Sequence, residues 1–180
     1  MLTLLMNIVE ILRLSHRIHR DIRISSHISL TCRAFNCNKM FYSGQKDSSL
    51  ENTLTEINKK FGSNFKVEYT KNPEKLIEEK KKDNYKIIHL TMYGIPVKNK
   101  INDIRKNKNI LIIIGSEHVP GVYYKISDFN ISITNQPISE LSALTIFLHE
   151  YFQGKQLETE FKNAKLKIIP SEKGKKIKKG

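Results

Sequence analysis

The sequence predicts an α/β protein with a mainly parallel sheet. Short apolar runs of strand length alternate with segments of helical spacing through most of the 180 residues, the order expected of strands joined by crossover helices. Several helical segments also begin at a serine or proline, residues that favour a helix start. The length suits a single domain with one sizeable core.

The apolar runs predict six strands. In chain order they lie near Ile8 to Leu14, Lys39 to Ser43, Phe65 to Thr70, Lys86 to Met92, Ile110 to Ile114 and Asn130 to Thr134. The amino-terminal MLTLLMNIVEIL lacks a basic leader and a small-residue cleavage site, and Glu10 interrupts it. It is therefore predicted to lead into the first strand rather than to be a signal peptide, with Met6 as an alternative start.

Helical segments separate these strands. They are predicted to begin near Ser25, Ser48, Pro73, Pro96, Pro120 and Ile138. The last one is apolar around most of its circumference, which either core packing or a homodimer interface would explain. From Lys165 to Lys179 two short strands flank a turn, which predicts a main domain over residues 1–164 and a basic hairpin and tail over 165–180.

The charge of the chain favours a polyanionic partner. Lys and Arg number 31 against 18 acidic residues, a net charge of +13. Many lysines suit solvated helix surfaces, but five arginines lie between Arg13 and Arg33, and guanidinium forks bind phosphate groups, so nucleic acid is the leading candidate. No apolar run approaches the length of a membrane span. Cys32 and Cys37 lack redox or zinc spacing and are predicted to be buried thiols in a reducing cytoplasm.

Three strand ends carry groups suited to a ligand. The stretches HLTMYGIP, LIIIGSEHVPG and ITNQPISE each join a buried strand to glycine or polar residues, and ligands of open parallel sheets bind beyond the carboxyl ends of strands. The glycine patterns of Rossmann dehydrogenases and P-loop NTPases are absent, and no metal-ligand or Ser-His-Asp spacing occurs. Asn135 and Gln136, taken alone, would be explained by a turn before Pro137.

Five segments carry a resemblance to a known family. They are LRLSHRIHRDIRISSHISLTCRAF from Leu12, HLTMYG from His89, GSEHVP from Gly115, SDFNISITNQPISELSAL from Ser127 and KIIPSEKGKKI from Lys167. With these segments, in this order, the chain resembles the archaeal tRNA cytidine-56 2'-O-methyltransferases of the SPOUT superfamily. It departs from the family pattern at Ser15 and Asn36, where the family has glycine, at His118, where it has lysine, and at Ile138, where it has histidine.

The resemblance implies a SPOUT fold, with helices on both faces of the sheet and a C-terminal deep trefoil knot, working as a homodimer. Hydrophobic periodicity cannot reveal a knot, because threaded chains are rare exceptions to the rules of topology. Asn135 to Pro137 would form a tight loop of the knot. The residues implied to bind S-adenosylmethionine are Leu90, Gly115, Ser116, Glu117, His118, Val119, Ile133, Thr134, Asn135, Gln136, Pro137, Ile138, Ser139 and Glu140.

The implied reaction moves a methyl group from S-adenosylmethionine to the ribose 2'-hydroxyl of cytidine 56 in the TψC loop of tRNA. Arginines are expected to bind the RNA phosphate and to stabilise the developing alkoxide. The catalytic candidates are Arg23, Arg20, Arg17 and His27, with Arg33 as an alternative. The basic hairpin is expected to help hold the RNA. Two other functions stay open: a SPOUT methyltransferase acting on another RNA nucleotide, and a non-catalytic RNA-binding SPOUT protein.

Overall fold

The computed structural model describes residues 7–115 and 118–180, and a parallel sheet forms its centre. The six strands are β1 Ile8–His16, β2 Lys39–Gly44, β3 Lys66–Tyr69, β4 Lys86–Pro96, β5 Asn109–Ile114 and β6 Phe129–Ser132. All neighbouring pairs are parallel, in the order β3-β2-β1-β5-β4-β6. The predicted α/β class with a mainly parallel sheet is therefore confirmed.

Helices connect the strands. They are α1 Ile18–Ala34, α2 Ser48–Phe61, α3 Pro73–Lys82, α4 Ile101–Arg105, α5 Gly121–Ile126 and α6 Glu140–Phe152, with short 3-10 turns at Val97–Asn99 and Lys155–Glu158. Side chains cap three of them: Asp47 accepts from the first turn of α2, Asn72 from α3 and Ser139 from α6. These caps satisfy backbone N–H groups that a helix start leaves unpaired, and they explain why these three predicted starts are correct to within two residues.

One predicted helix start is wrong. Helix α1 begins at Ile18 rather than near Ser25, because the amides of its first residues find acceptors elsewhere: Arg17 N–H donates to Asp21 Oδ2, and Ile18 N–H donates to Gln45 Oε1. The helical segment predicted near Pro96 begins at Val97 as a 3-10 turn, and α4 follows from Ile101. Strand β1 extends past Leu14 to His16, whereas β6 ends at Ser132 instead of Thr134.

The sheet is buried on both faces. On one face, Val9 and Ile11 of β1 pack with residues of α1, α2 and α6, and on the other face Leu12 and Leu14 pack with residues of α3 and α5. Side chains of a strand alternate between faces, so a strand with apolar side chains on both faces needs helices on both sides. The same packing buries Cys32 and Cys37 as free thiols, as predicted.

The carboxyl-terminal hairpin is also confirmed. Strands β7 Leu166–Ile169 and β8 Lys176–Lys179 are antiparallel, and Gly174 has a φ of 88° in the turn between them. The hairpin is a separate two-stranded sheet near α2. Among the helices that the structure describes, none combines the length and the apolar character needed to cross a bilayer.

Both positions where the chain lacks a family glycine have a left-handed backbone. Ser15 and Asn36 each have a φ of 59°. Glycine adopts this conformation without steric cost, whereas a residue with a Cβ atom is strained there. Ser15 and Asn36 therefore adopt turns that a glycine would form at lower steric cost.

Candidate active site at the carboxyl edge of the sheet

A cavity of about 540 Å³, here called the edge cavity, opens where the carboxyl ends of the central strands meet. Its lining comes from α1 (Arg17, Arg20, Asp21, Ile24), from the end of β4 (His89 to Tyr93), from the end of β5 and the segment after it (Ile114, Gly115, Val119), from Tyr124 of α5, and from β6 to α6 (Ile131, Ile133, Thr134, Pro137, Ile138, Ser139, Glu140, Ala143). Because β5, β4 and β6 are adjacent and parallel, their ends emerge at one edge of the sheet. The three predicted strand ends do converge.

The end of β4 and the chain after β6 are locked together. Ile131 of β6 pairs with both Leu90 and Ile95, so residues 91–94 form an excursion from β4 that returns to the same partner strand. A Cβ atom on Gly94 would lie 2.6 Å from the backbone of Ile131. The Asn135 amide donates to Met92 O at 2.7 Å and to Gly94 O at 3.2 Å. Asn135 thus does more than form a turn, since its hydrogen bonds connect the segment after β6 to the 91–94 excursion of β4.

Most of the cofactor residues implied by the resemblance lie on the edge cavity. Those that line it are Leu90, Gly115, Val119, Ile133, Thr134, Pro137, Ile138, Ser139 and Glu140. Three do not line it, namely His118, Asn135 and Gln136. Ser116 and Glu117 lie outside the described residues. The location of the majority agrees with a ligand site built from strand ends.

The catalytic candidates divide into two groups. Arg17 and Arg20 line the edge cavity, whereas Arg23 and His27 are exposed on α1 and do not line it. Arg33 lies in a different environment: its Nε donates to Asn58 Oδ1, its Nη2 donates to Gly62 O, and its guanidinium lies over the Phe161 ring. These contacts give Arg33 a packing function outside the cavity.

A buried ion network beneath the cavity was not predicted. Arg13 is fully buried and donates to Glu140 Oε1 at 2.9 Å, and Asp21 Oδ2 lies 3.9 Å from the same Nη2. Burial raises the pKa of the Glu140 carboxyl above its usual value although Arg13 favours the charged form. Burial also opposes ionisation of Asp21, but the hydrogen bond from Arg17 and the charges of Arg13 and Arg17 lower its pKa. An arginine at an inward position of an apolar strand is the signal that could have identified Arg13.

His89 is a second residue that the sequence reasoning did not select. Its ring is 1% exposed, with Nδ1 2.9 Å from Asn130 Oδ1 and the ring edge-on to Tyr124 at a centroid distance of 4.6 Å. Burial lowers its pKa. Its Nε2 is buried and has no hydrogen-bond partner among the described residues, and the same is true of Glu140 Oε2.

The lining fits S-adenosylmethionine, which combines apolar, hydrogen-bonding and charged parts. Leu90, Ile131 and Ile133 provide apolar surface, while His89 Nε2 and Glu140 Oε2 are buried polar atoms without a hydrogen-bond partner in the described part of the chain. Gly115 has no side chain, and Val119 packs directly against it, since a Cβ atom there would collide with Val119 Cγ2. A cavity of this size with both apolar and polar lining is typical of cofactor sites.

Comparisons with known proteins identify the family. A sequence profile of the family described as "tRNA ribose 2'-O-methyltransferase, aTrm56" matches residues 61–178. The tRNA (cytidine(56)-2'-O)-methyltransferase of Sulfurisphaera tokodaii is 43% identical over 166 residues, which cover 91% of this chain and 98% of the relative. The enzyme of that name from Methanocaldococcus jannaschii is 42% identical over 173 residues, covering 94% of this chain and 96% of the relative.

Solved structures share the fold at low identity. The SpoU methyltransferase AviRb from Streptomyces viridochromogenes, in complex with the cofactor AdoMet, matches with a TM-score of 0.62 at 15% identity, over 83% of this chain and 58% of that chain. The A. aeolicus TrmH/SpoU tRNA modifying enzyme matches with a TM-score of 0.60 at 15% identity, over 86% and 80%. The sequence matches extend over almost the whole chain, and the shared fold is that of SPOUT methyltransferases. The chain therefore belongs to the aTrm56 family of tRNA ribose 2'-O-methyltransferases.

Proposed function

We propose that this protein methylates the 2'-hydroxyl of cytidine 56 in the TψC loop of tRNA, with S-adenosylmethionine as the methyl donor. The observation that carries the proposal is the edge cavity, in which the ends of β4, β5 and β6 meet Arg17 and Arg20 of α1. The names of relatives that match more than nine-tenths of the chain support the nucleotide assigned.

The cofactor would be held mainly by backbone groups. S-adenosylmethionine supplies an electrophilic methyl group on its sulfonium. The segments 115–119 and 133–140 would bind its adenosine and methionine parts through N–H and C=O groups, and Leu90 would pack against them. Asn135 would act indirectly, because its amide fixes the backbone of Met92 and Gly94.

Arginines would position the RNA and stabilise charge. Arg17 and Arg20 line the cavity, so they are the candidates that can approach the reacting hydroxyl. A guanidinium there binds the adjacent phosphate and favours the alkoxide that develops as the 2'-oxygen loses its proton. Arg23 and His27, farther along the exposed surface of α1, would bind the RNA outside the cavity.

Two further properties of the family are proposed for this chain. The first is the deep trefoil knot, which the close packing of the 91–94 excursion against β6 and Asn135 supports. The second is a homodimer, supported by large apolar side chains exposed on α1 and just before and within α6: Ile22, Leu30, Ile138 and Ile146. Burying them against a second copy would remove apolar surface from water.

The carboxyl-terminal hairpin is proposed to hold tRNA. Its lysines are exposed, including Lys175, Lys176 and Lys178, and RNA phosphate attracts such a surface. The two free buried cysteines support a reducing, cytoplasmic location.

Mapping the modified nucleotide tests the proposal. Purified protein is incubated with unmodified tRNA and S-adenosylmethionine labelled in the methyl group, and the modified ribose is located by its resistance to alkaline cleavage. We expect one methyl group at position 56, and none on a transcript with 2'-deoxycytidine there. Methylation at another position would favour a different RNA target, and tRNA binding without uptake of the methyl donor would favour a non-catalytic RNA-binding protein.

A further inference from the structure

We propose that His89 Nε2 accepts a hydrogen bond from the adenosine part of the bound methyl donor, so that this histidine recognises the nucleoside. The inference rests on the proposed function, because it assigns a contact to the same ligand. It concerns a side chain, in addition to the backbone groups that are expected to hold the cofactor. The argument has three steps: the tautomer of the ring, its missing partner and the charge of its surroundings.

The hydrogen-bond network determines which ring nitrogen carries the proton. Asn130 Nδ2 donates to Tyr124 O at 2.9 Å, so Asn130 Oδ1 is the atom that faces His89. An oxygen acceptor requires a donor, which places the proton on His89 Nδ1. Burial lowers the pKa of His89, so the ring is neutral and Nε2 carries a lone pair.

That lone pair has no partner within the described protein. His89 Nε2 is inaccessible to solvent and makes no hydrogen bond with any described residue. Leaving a buried acceptor unpaired is unfavourable, and such atoms in native proteins commonly face a ligand or an ordered water. His89 lines the edge cavity, and Asn130 already occupies its Nδ1 side. The Nε2 side is therefore the polar group that His89 offers to a ligand.

The surroundings of His89 select a neutral donor. Charged residues of the cavity lie on α1 and at the start of α6, where Glu140 and Asp21 provide carboxylates. The neighbours of His89 that the structure describes here are uncharged: Tyr124 contacts its ring, and the Tyr124 hydroxyl lies 3.0 Å from Thr91 Oγ1. The ammonium of the amino-acid part would be bound better by a carboxylate. The amine and hydroxyl groups of adenosine are neutral donors and suit the His89 side.

Two substitutions distinguish the roles of the two ring nitrogens of His89. In His89→Asn the amide can replace Nδ1 toward Asn130 but loses the acceptor at Nε2, whereas in His89→Gln the longer amide can place an oxygen near the Nε2 position. Calorimetry should give roughly tenfold weaker binding of S-adenosylhomocysteine to His89→Asn, the size of one hydrogen bond, and binding within about threefold of wild type for His89→Gln. The same loss is expected with 5'-methylthioadenosine, which lacks the amino-acid part.

A spectroscopic measurement on the unmodified protein makes the test independent of variant folding. In protein labelled with 15N-histidine, saturation with S-adenosylhomocysteine should shift the Nε2 resonance of His89 while leaving Nδ1 protonated. An unchanged Nε2 resonance in the saturated protein would overturn the proposal. A loss in His89→Asn that affects S-adenosylhomocysteine but spares 5'-methylthioadenosine would also overturn it, because the contact would then belong to the amino-acid part. Failure of wild-type protein to bind any of these ligands would instead refute the proposed function.

Discussion

Ser15 has a conformation that suits glycine better than serine. Its φ of 59° places Cβ close to the backbone, and its amide donates to Ser43 Oγ, a bond that any residue could make. A non-glycine residue in this region costs about 1–2 kcal/mol, partly offset because glycine makes the unfolded chain more flexible.

We predict that Ser15→Gly increases the free energy of unfolding by about 0.5–1 kcal/mol. Urea denaturation followed by circular dichroism measures the change. Asn36→Gly is the matched substitution at the same φ, and it should gain less, because asparagine tolerates the left-handed region. Zero or negative changes in the free energy of unfolding at both positions would show that strain is absent.

The arginines of α1 provide a second prediction about individual residues. Arg20 lines the edge cavity and Arg23 does not, although both are exposed on the same helix. Removing a group that stabilises transition-state charge typically costs about 10²-fold in rate. Arg20→Ala should therefore lower kcat by about that factor with little change in cofactor affinity.

The control is Arg23→Ala, which should chiefly raise KM for tRNA. Single-turnover methyl transfer at saturating tRNA separates the two effects. An Arg23→Ala enzyme with the larger loss of kcat would instead place the reactive hydroxyl near Arg23, as the sequence reasoning first favoured.

At the level of elements, the close contact between the β4 excursion and β6 depends on Gly94. Alanine there would place a Cβ 2.6 Å from the backbone of Asn130 and Ile131, so β6 and the cavity loop would have to separate. We predict that Gly94→Ala lowers the free energy of unfolding by about 3 kcal/mol, the upper range for overpacking, and abolishes cofactor binding.

Gly121 offers a matched control for this change. A Cβ on Gly121 would have no neighbour within 4 Å, and the residue begins α5. Gly121→Ala should retain both stability and cofactor affinity in the same denaturation and calorimetry experiments. A Gly94→Ala protein that behaves like Gly121→Ala would contradict the close packing of these elements.

For the whole molecule, the effect of the net charge of +13 on tRNA binding depends on where the lysines lie. We predict that changing Lys175, Lys176 and Lys178 of the hairpin to Gln weakens tRNA binding and reduces the slope of log K against log salt by about 2–3. In the control variant, Lys75, Lys81 and Lys82 of α3, which are also exposed, are changed to Gln. This variant loses the same net charge and should retain its affinity for tRNA. Filter binding at several salt concentrations measures the affinity of each variant for tRNA. An equal loss of affinity in both triple variants would contradict the prediction.

Local features of the sequence account for much of this protein. Apolar runs predicted the six strands, and Ser48, Pro73 and the apolar spacing from Ile138 predicted the starts of α2, α3 and α6 to within two residues. The parallel order of the strands brought the three polar strand ends together, so most of the cavity lining could be proposed in advance. The start of α1 was missed because Gln45, distant in sequence, provides an acceptor for its first turn.

The sequence by itself determined the α/β class, the basic hairpin, the arginine-rich segment from Arg13 to Arg33 and the residues at the strand ends, because each depends on neighbours within a few positions. Only the tertiary structure decided that Arg17 and Arg20 line the cavity, that Arg13 pairs with Glu140 across 127 positions, and that His89 Nε2 has no hydrogen-bond partner among residues 7–115 and 118–180. Contacts between distant residues leave no periodic pattern in a sequence, since they depend on how complete elements pack together.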